Sequence, residues 1–195
     1  AVCALLATSM FAQRPAHFEH AAADFTHAHE LFDMAKYGAA QYEMDRVRDR
    51  IRDQQDPIRT EAEFYSAICA VRLFHDDASQ RLLGFMDAHP ESFRVGAINL
   101  ELFRHYFNQK RWPEALAYAA KVNDFDLGQA DKDEFSFKRG YAYFQNDQMD
   151  PALVEFAKVK DGTSVYAPSS TYYAAHINYT RKNFVTALGG FEKLQ

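Results

Sequence analysis

His20, Asp24 and His27 recur at i, i+4 and i+7, the spacing that puts an imidazole, a carboxylate and an imidazole on one helix face. Such a set offers N, O and N donors of the kind a divalent cation takes. An amphipathic helix whose histidines fill packing slots accounts for the same residues, and the expectation is no metal and no cofactor. Cys69 stands in the apolar run Ala67–Val71, where a thiol behaves as a small hydrophobe and not as a nucleophile. Acidic pairs such as Asp76-Asp77 and Asp133-Glu134 are adjacent, so their side chains do not face one another on a helix and make no acid–base pair. The sequence has no phosphate-binding glycine loop, no dinucleotide fingerprint, no nucleophile elbow, no H-E-x-x-H and no C-x-x-C. No catalytic residue is expected, and the chain is read as not an enzyme.

The elements that would position any site follow from composition. With 195 residues the chain is the size of one domain or two small ones. Twenty-two basic against 27 acidic residues leave a net charge of −5, so there is no basic field for nucleic acid. Eight glycines and six prolines are too few for a fold of many short strands. Thirty alanines beside 15% aromatic residues suit closely packed helices with rings wedged between small side chains.

Residues 1–12 (AVCALLATSMFA) are uncharged and apolar or small, then give way to Gln13 and Arg14. This pattern reads as the remnant of a secretory signal peptide cleaved after Ala12, and it is too short to span a bilayer. Removing it takes Cys3 and leaves Cys69, so no intrachain disulfide is expected.

A repeat organises the rest. Ala40, Ala78, Ala115, Ala152 and Ala187 are spaced by 38, 37, 37 and 35 residues. Four residues after them stand Met44, Leu82, Ala119, Phe156 and Phe191, and seven after stand Val47, Phe85, Val122, Val159 and Leu194. Offsets of 0, +4 and +7 form one stripe of a helix. The breaks at Asp56-Pro57, His89-Pro90, Asp124 to Gly128, Asp161-Gly162 and Pro168 separate helix pairs. The expected pairs are 16–34 with 37–52, 58–73 with 76–88, 93–109 with 113–122, 131–145 with 149–160, and 168–181 with 184–195. Gly189-Gly190, inside the last helix, reads as a place of close packing. No polar cap closes the last pair at Gln195, so the chain reads as a fragment with further repeats to follow.

Gly140-x2-Tyr143 followed by Ala152-x3-Phe156, with Ala187-x3-Phe191 repeating the second half and Pro90 twelve after Ala78, resembles the tetratricopeptide repeat. The period of 35–38 is longer than the family's 34, and Phe103 stands where a small residue is usual. The resemblance implies an all-α solenoid of about five helix-turn-helix units in a right-handed superhelix, the last truncated. The units would cover residues 16–52, 58–90, 93–124, 131–162 and 166–195 within a solenoid of 13–195.

It also implies a concave groove lined by the first helix of each unit. By position the candidates are Phe25, His29 and Phe32, then Glu63, then Leu100, Arg104 and Phe107, then Phe137, Tyr141 and Phe144, and finally Tyr172, His176 and Tyr179. Arg104 could clamp a carboxylate, and the rings could carry contact area or pack as core. Repeated Lys and Arg on successive first helices are missing, so apolar or aromatic partner side chains are favoured over an acidic terminus. Together with the leader, the resemblance implies a periplasmic scaffold of the bacterial cell envelope that binds partner proteins or peptides. Such a chain would have no transmembrane span and would associate with outer-membrane or envelope complexes. A module stacking glycan or peptidoglycan on the aromatic groove is the alternative.

Overall fold

Asp56 caps the helix that begins at Pro57. Its carboxylate accepts from the backbone N–H groups of Ile58 and Arg59 at 2.8 and 3.2 Å, while Pro57 occupies the first turn without a lost hydrogen bond. The computed structural model describes residues 16–195, with side chains from His20 onward; residues 1–12 and their reading as a leader lie outside the described residues. Within that range the helices are α1 (Ala16–Asp33), α2 (Tyr37–Arg50), α3 (Pro57–Arg72), α4 (Ala78–Ala88) and α5 (Val95–Asn108). They continue as α6 (Trp112–Ala119), α7 (Gln129–Gln145), α8 (Met149–Ala157), α9 (Ala167–Thr180) and α10 (Phe184–Glu192), with a 3-10 turn at Asp124–Asp126 and no strand among the described residues.

The helix starts agree with the spacing of the sequence to within two residues, whereas α6, α8 and α10 each stop three residues early. The cause is a tightening of the last turn. Lys121 and Val122 donate to Tyr118 and Ala119, Val159 to Phe156, and Leu194 to Phe191, all three residues back. Such bonds satisfy orphan carbonyls in a narrower coil.

The turn inside each pair has one construction. Ala35, Phe74, Lys110, Asp147 and Lys182 have φ between 55 and 64°, and no glycine among the described residues has a positive φ. Each donates to the carbonyl three residues back, and the next residue donates five back, as Lys110 does to Phe107 and Arg111 to Tyr106 at 2.9 and 3.0 Å. This paired bonding closes the first helix and turns the chain into the second.

The alanine anchors are the contact points of the pairs. Ala40, Ala78, Ala115, Ala152 and Ala187 are all 2% exposed or less. A methyl group there lets two helices approach closely, where a larger side chain would separate them. The approach is closest at two glycines. A Cβ on Gly140 would lie 3.0 Å from the Phe156 ring, and one on Gly190 would lie 2.8 Å from the Cβ of Ala175.

The chain forms two compact units, one ending at Arg81 and one running from Leu82 to Gln195, the division falling inside α4. In the first, Ala28, Met44, Val47 and Ala62 make a core fringed by Phe25, Ile51, Ile58 and Tyr65. In the second, Ala152, Phe156 and Ile177 are closed over by rings from α7 and α9. Cys69 is buried and free, and burial pushes its thiol up to about 11.

Candidate interaction surface

In the first unit the candidate residues of α1 converge on one ring. Phe25, His29 and Phe32 lie one turn apart, half-buried, and their centroids stand 6.2, 4.7 and 5.0 Å from Tyr65 of α3. His29 and Phe32 meet Tyr65 edge-on, the favoured geometry of a ring quadrupole. His29 Nδ1 also lies 3.2 Å from Asp33. Glu63 points elsewhere: its carboxylate is 3.0 Å from Arg59 Nε, and Arg59 Nη1 donates to the carbonyls of Arg48 and Ile51. The pair thus braces the end of α2.

In the second unit two candidates change role. Leu100 is 7% exposed and belongs to the core of α5 with Ile98, Leu102 and Phe103, so it is not groove surface. Arg104 carries a full set of partners from its own chain. It donates to Glu101 at 3.0 Å, to Asp131 at 2.7 Å and to both oxygens of Glu134 at 3.1 and 2.5 Å. Burial disfavours the charge, but these hydrogen bonds outweigh it and hold the guanidinium above its ordinary value. The expected clamp for a partner's carboxylate is occupied internally. It binds α5 to α7, with Lys138 closing the network on Glu134 at 2.6 Å.

The remaining candidates form a continuous run of rings across α5, α7 and α9. Phe107 meets Trp112 and Tyr141 at 5.4 and 5.9 Å. Tyr141 meets Tyr173 at 5.1 Å, Tyr173 meets Phe144 at 5.4 Å, and Phe144 meets His176 at 5.8 Å. His176 lies parallel to Tyr172 at 6.1 Å, and Phe137 stacks on Tyr166 at 5.3 Å. Phe107, Tyr141, Phe144 and His176 keep partial exposure, whereas Tyr172 and Tyr179 are 46% and 56% exposed. Tyr179 sits apart from the run, against Phe184 at 5.6 Å.

Tyr65, Tyr166 and Tyr173 join these rings together and were not singled out in the sequence. Tyr65 and Tyr173 fall one or two residues beyond the positions carried over for the groove. The other units hold Leu102 and Arg139 at comparable places, so no repeating signal marked them.

The histidine set of α1 does not assemble. Asp24 is paired with Arg50 of α2, His20 and His27 are exposed, and no group of three His, Cys, Asp or Glu able to hold a metal occurs among the described residues. A cleft of about 200 Å³ between α9 and α10 is lined by Thr171, Asn178 and Lys193 among others. Its Lys160 and Lys193 both pair with Asp161, at 2.8 and 3.0 Å. No described helix is long and apolar enough to cross a membrane.

Comparison with known proteins places the fold. The chain is similar in structure to the MamA RS-1 ArsTM double mutant, with TM-score 0.68 and 14% identity over 89% of this chain and 92% of that one. It is also similar to the C-terminal part of a TPR repeat-containing protein from Cytophaga hutchinsonii, with TM-score 0.65 and 17% identity over 89% and 66% of the two chains. A third likeness is to a Podosopora anserina protein described as a kinesin light chain with nearly identical TPR-like repeats, with TM-score 0.62 and 13% identity over 91% and 94%. No family model and no curated protein matches the sequence. The fold is therefore that of the tetratricopeptide-repeat proteins, as the spacing of Gly140, Tyr143, Ala152 and Phe156 implied.

Proposed function

We propose that this chain is a non-catalytic scaffold that binds a partner protein or peptide over the aromatic run of α5, α7 and α9, and that it does so in a bacterial cell envelope after export. The observation that carries the binding reading is the partly exposed series Phe107, Tyr141, Phe144 and His176, with Trp112 in contact with Phe107 and Tyr141, and Tyr173 in contact with Tyr141 and Phe144. Rings fixed by their neighbours give contact area at little cost in side-chain entropy, which is the property of interface anchors. Most of them meet edge-on or tilted, which suits the varied shape of apolar side chains better than the flat face of a sugar. The ionic groups of Arg104, Glu101 and Glu134 satisfy one another, so they orient the run without selecting a charged ligand. The envelope part of the proposal is supported by the uncharged, apolar residues 1–12.

The test is affinity capture from native envelope extract with the chain and with a Phe107→Ala, Phe144→Ala variant confirmed folded by circular dichroism. Recovery of a protein by the native bait that the variant loses is the expected result. Equal recovery by both would show that the run is packing alone.

A further inference from the structure

The helix pair α7–α8 encloses a cluster of charges that the next pair keeps only in part. Arg139 of α7 donates to the two oxygens of Asp124 at 3.3 and 3.0 Å and to Glu155 of α8 at 2.9 Å. Lys158 closes the cluster, 3.0 Å from Glu155 and 3.6 Å from Asp124. Two acids and two bases thus fill the space between α7, α8 and the 3-10 turn before α7, with Arg139 and Glu155 only 13% and 9% exposed.

The pair α9–α10 has the frame of this cluster without its filling. Counted from the anchors Ala115, Ala152 and Ala187, Asp161 stands where Asp124 does and Lys193 where Lys158 does, and these two are again paired, at 3.0 Å. Arg139 is replaced by Ala174, and Glu155 by Gly190. The reason is an exchange of size between facing positions. A Cβ on Gly140 would lie 3.1 Å from that of Glu155; one pair later the first helix carries Ala175, and the residue facing it is reduced to Gly190. With the glycine on the second helix, no side chain is left there to carry the carboxylate. What remains is the cleft of about 200 Å³, walled by Ala174, Ala175, Gly189 and Gly190. Its other walls include Lys160 and Asp161, from the segment after α8. Gly189, Gly190 and Lys193 form a different stripe of α10 from Ala187, Phe191 and Leu194.

The charge left in the cleft selects its occupant. Lys160 stands where the preceding pair has Asn123, so Asp161 meets two ammonium groups, Lys160 at 2.8 Å and Lys193 at 3.0 Å. The cluster around Asp124 is neutral, whereas this one has a positive charge in excess, in a chain of net charge −5. An ammonium has three donors, and Asp161 takes one from each lysine. A carboxylate entering the cleft takes the part of Glu155, meeting Lys193 as Glu155 meets Lys158. The alanine and glycine walls then receive an apolar chain, and the size of the cleft admits only a short one. A cation in the same place would face two ammonium groups across a single carboxylate.

We propose that the cleft between α9 and α10 binds a small organic carboxylate, its anion held by Lys193 and Lys160 and its short apolar chain by Ala174, Ala175 and Gly189. The test is an NMR titration of the isotope-labelled full chain with hexanoate, and with hexylammonium as the cation of similar size. The expected result is a saturable shift of the Gly189, Gly190 and Asn178 signals by hexanoate, with a dissociation constant on the order of 1 mM, and no such shift by hexylammonium. Gly189→Leu builds a side chain into the cleft from a position where a Cβ has nothing within 4 Å. It should abolish binding while the thermal midpoint is kept or raised. Lys193→Gln, at an exposed position, should weaken binding about tenfold. No saturable shift up to about 50 mM hexanoate, an equal response to hexylammonium, or binding indifferent to both variants would overturn the proposal. Neither Phe107 nor Phe144 lines the cleft, so the Phe107→Ala, Phe144→Ala variant should bind hexanoate as the native chain does, and this site and the partner-binding run stand or fall separately.

Discussion

Two neighbouring glycines of α10 show how far a single methyl group is decided by its surroundings. Gly190 faces Ala175 with no room for a Cβ, while Gly189 has nothing within 4 Å of the place a Cβ would take. Gly190→Ala should destabilise the chain by about 1–3 kcal/mol through overpacking. Gly189→Ala should instead stabilise it by about 0.5–1 kcal/mol, because alanine restricts the unfolded chain and favours the helix. Opposite displacements of the melting temperature are the expected reading, and equal ones would refute the packing described. Glu134 makes a second case at this scale. Burial alone would raise its pKa, but hydrogen bonds from Arg104 and Lys138 outweigh that and hold the carboxyl below the ordinary range. The folded state therefore favours the ionised form. Its stabilisation is complete above the ordinary carboxylate pKa and is lost as pH falls through the lower folded value. Melting curves at about pH 7 and about pH 4 should show Glu134→Gln less stable than the native chain at the first and closer to it at the second.

The helix pair is the unit in which the fold is built, and its turn is made without glycine. Holding an L-residue in the left-handed region costs about 1–2 kcal/mol; a glycine relieves that strain but loses about 0.4–1 kcal/mol of it again, because it loosens the unfolded chain. Phe74→Gly and Lys110→Gly should each stabilise the chain by about 0.5–1 kcal/mol, read as a higher denaturation midpoint. A loss of stability at both would mean that these side chains contribute contacts at the turn. Because Ala35, Phe74, Lys110, Asp147 and Lys182 differ in type, the shared turn left no mark in the sequence, although the helices on either side of it did. The pairing itself was legible: anchors 35–38 residues apart, each followed by an apolar residue four further on, fixed which second-helix face lies against the first.

At the scale of the molecule, the surfaces open to partners are what remains after helices have covered one another. The run from Phe107 to His176 is partly covered, by α6, α7 and α9 in turn. The capture experiment reads what that run binds.

The amino-acid sequence by itself determined the all-helical class, the helix pairs, the buried alanines and the inert Cys69, because each rests on periodicity and size within a few turns of chain. The tertiary structure alone decided which first-helix residues are surface. Leu100 turns into the core, and Arg104 is enclosed by Asp131 and Glu134, 27 and 30 residues away. Tyr65 and Tyr173 fill the space between consecutive first helices. Those outcomes depend on how one pair is rotated against the next, and that rotation is set by interlocking side chains from both, which no local pattern encodes.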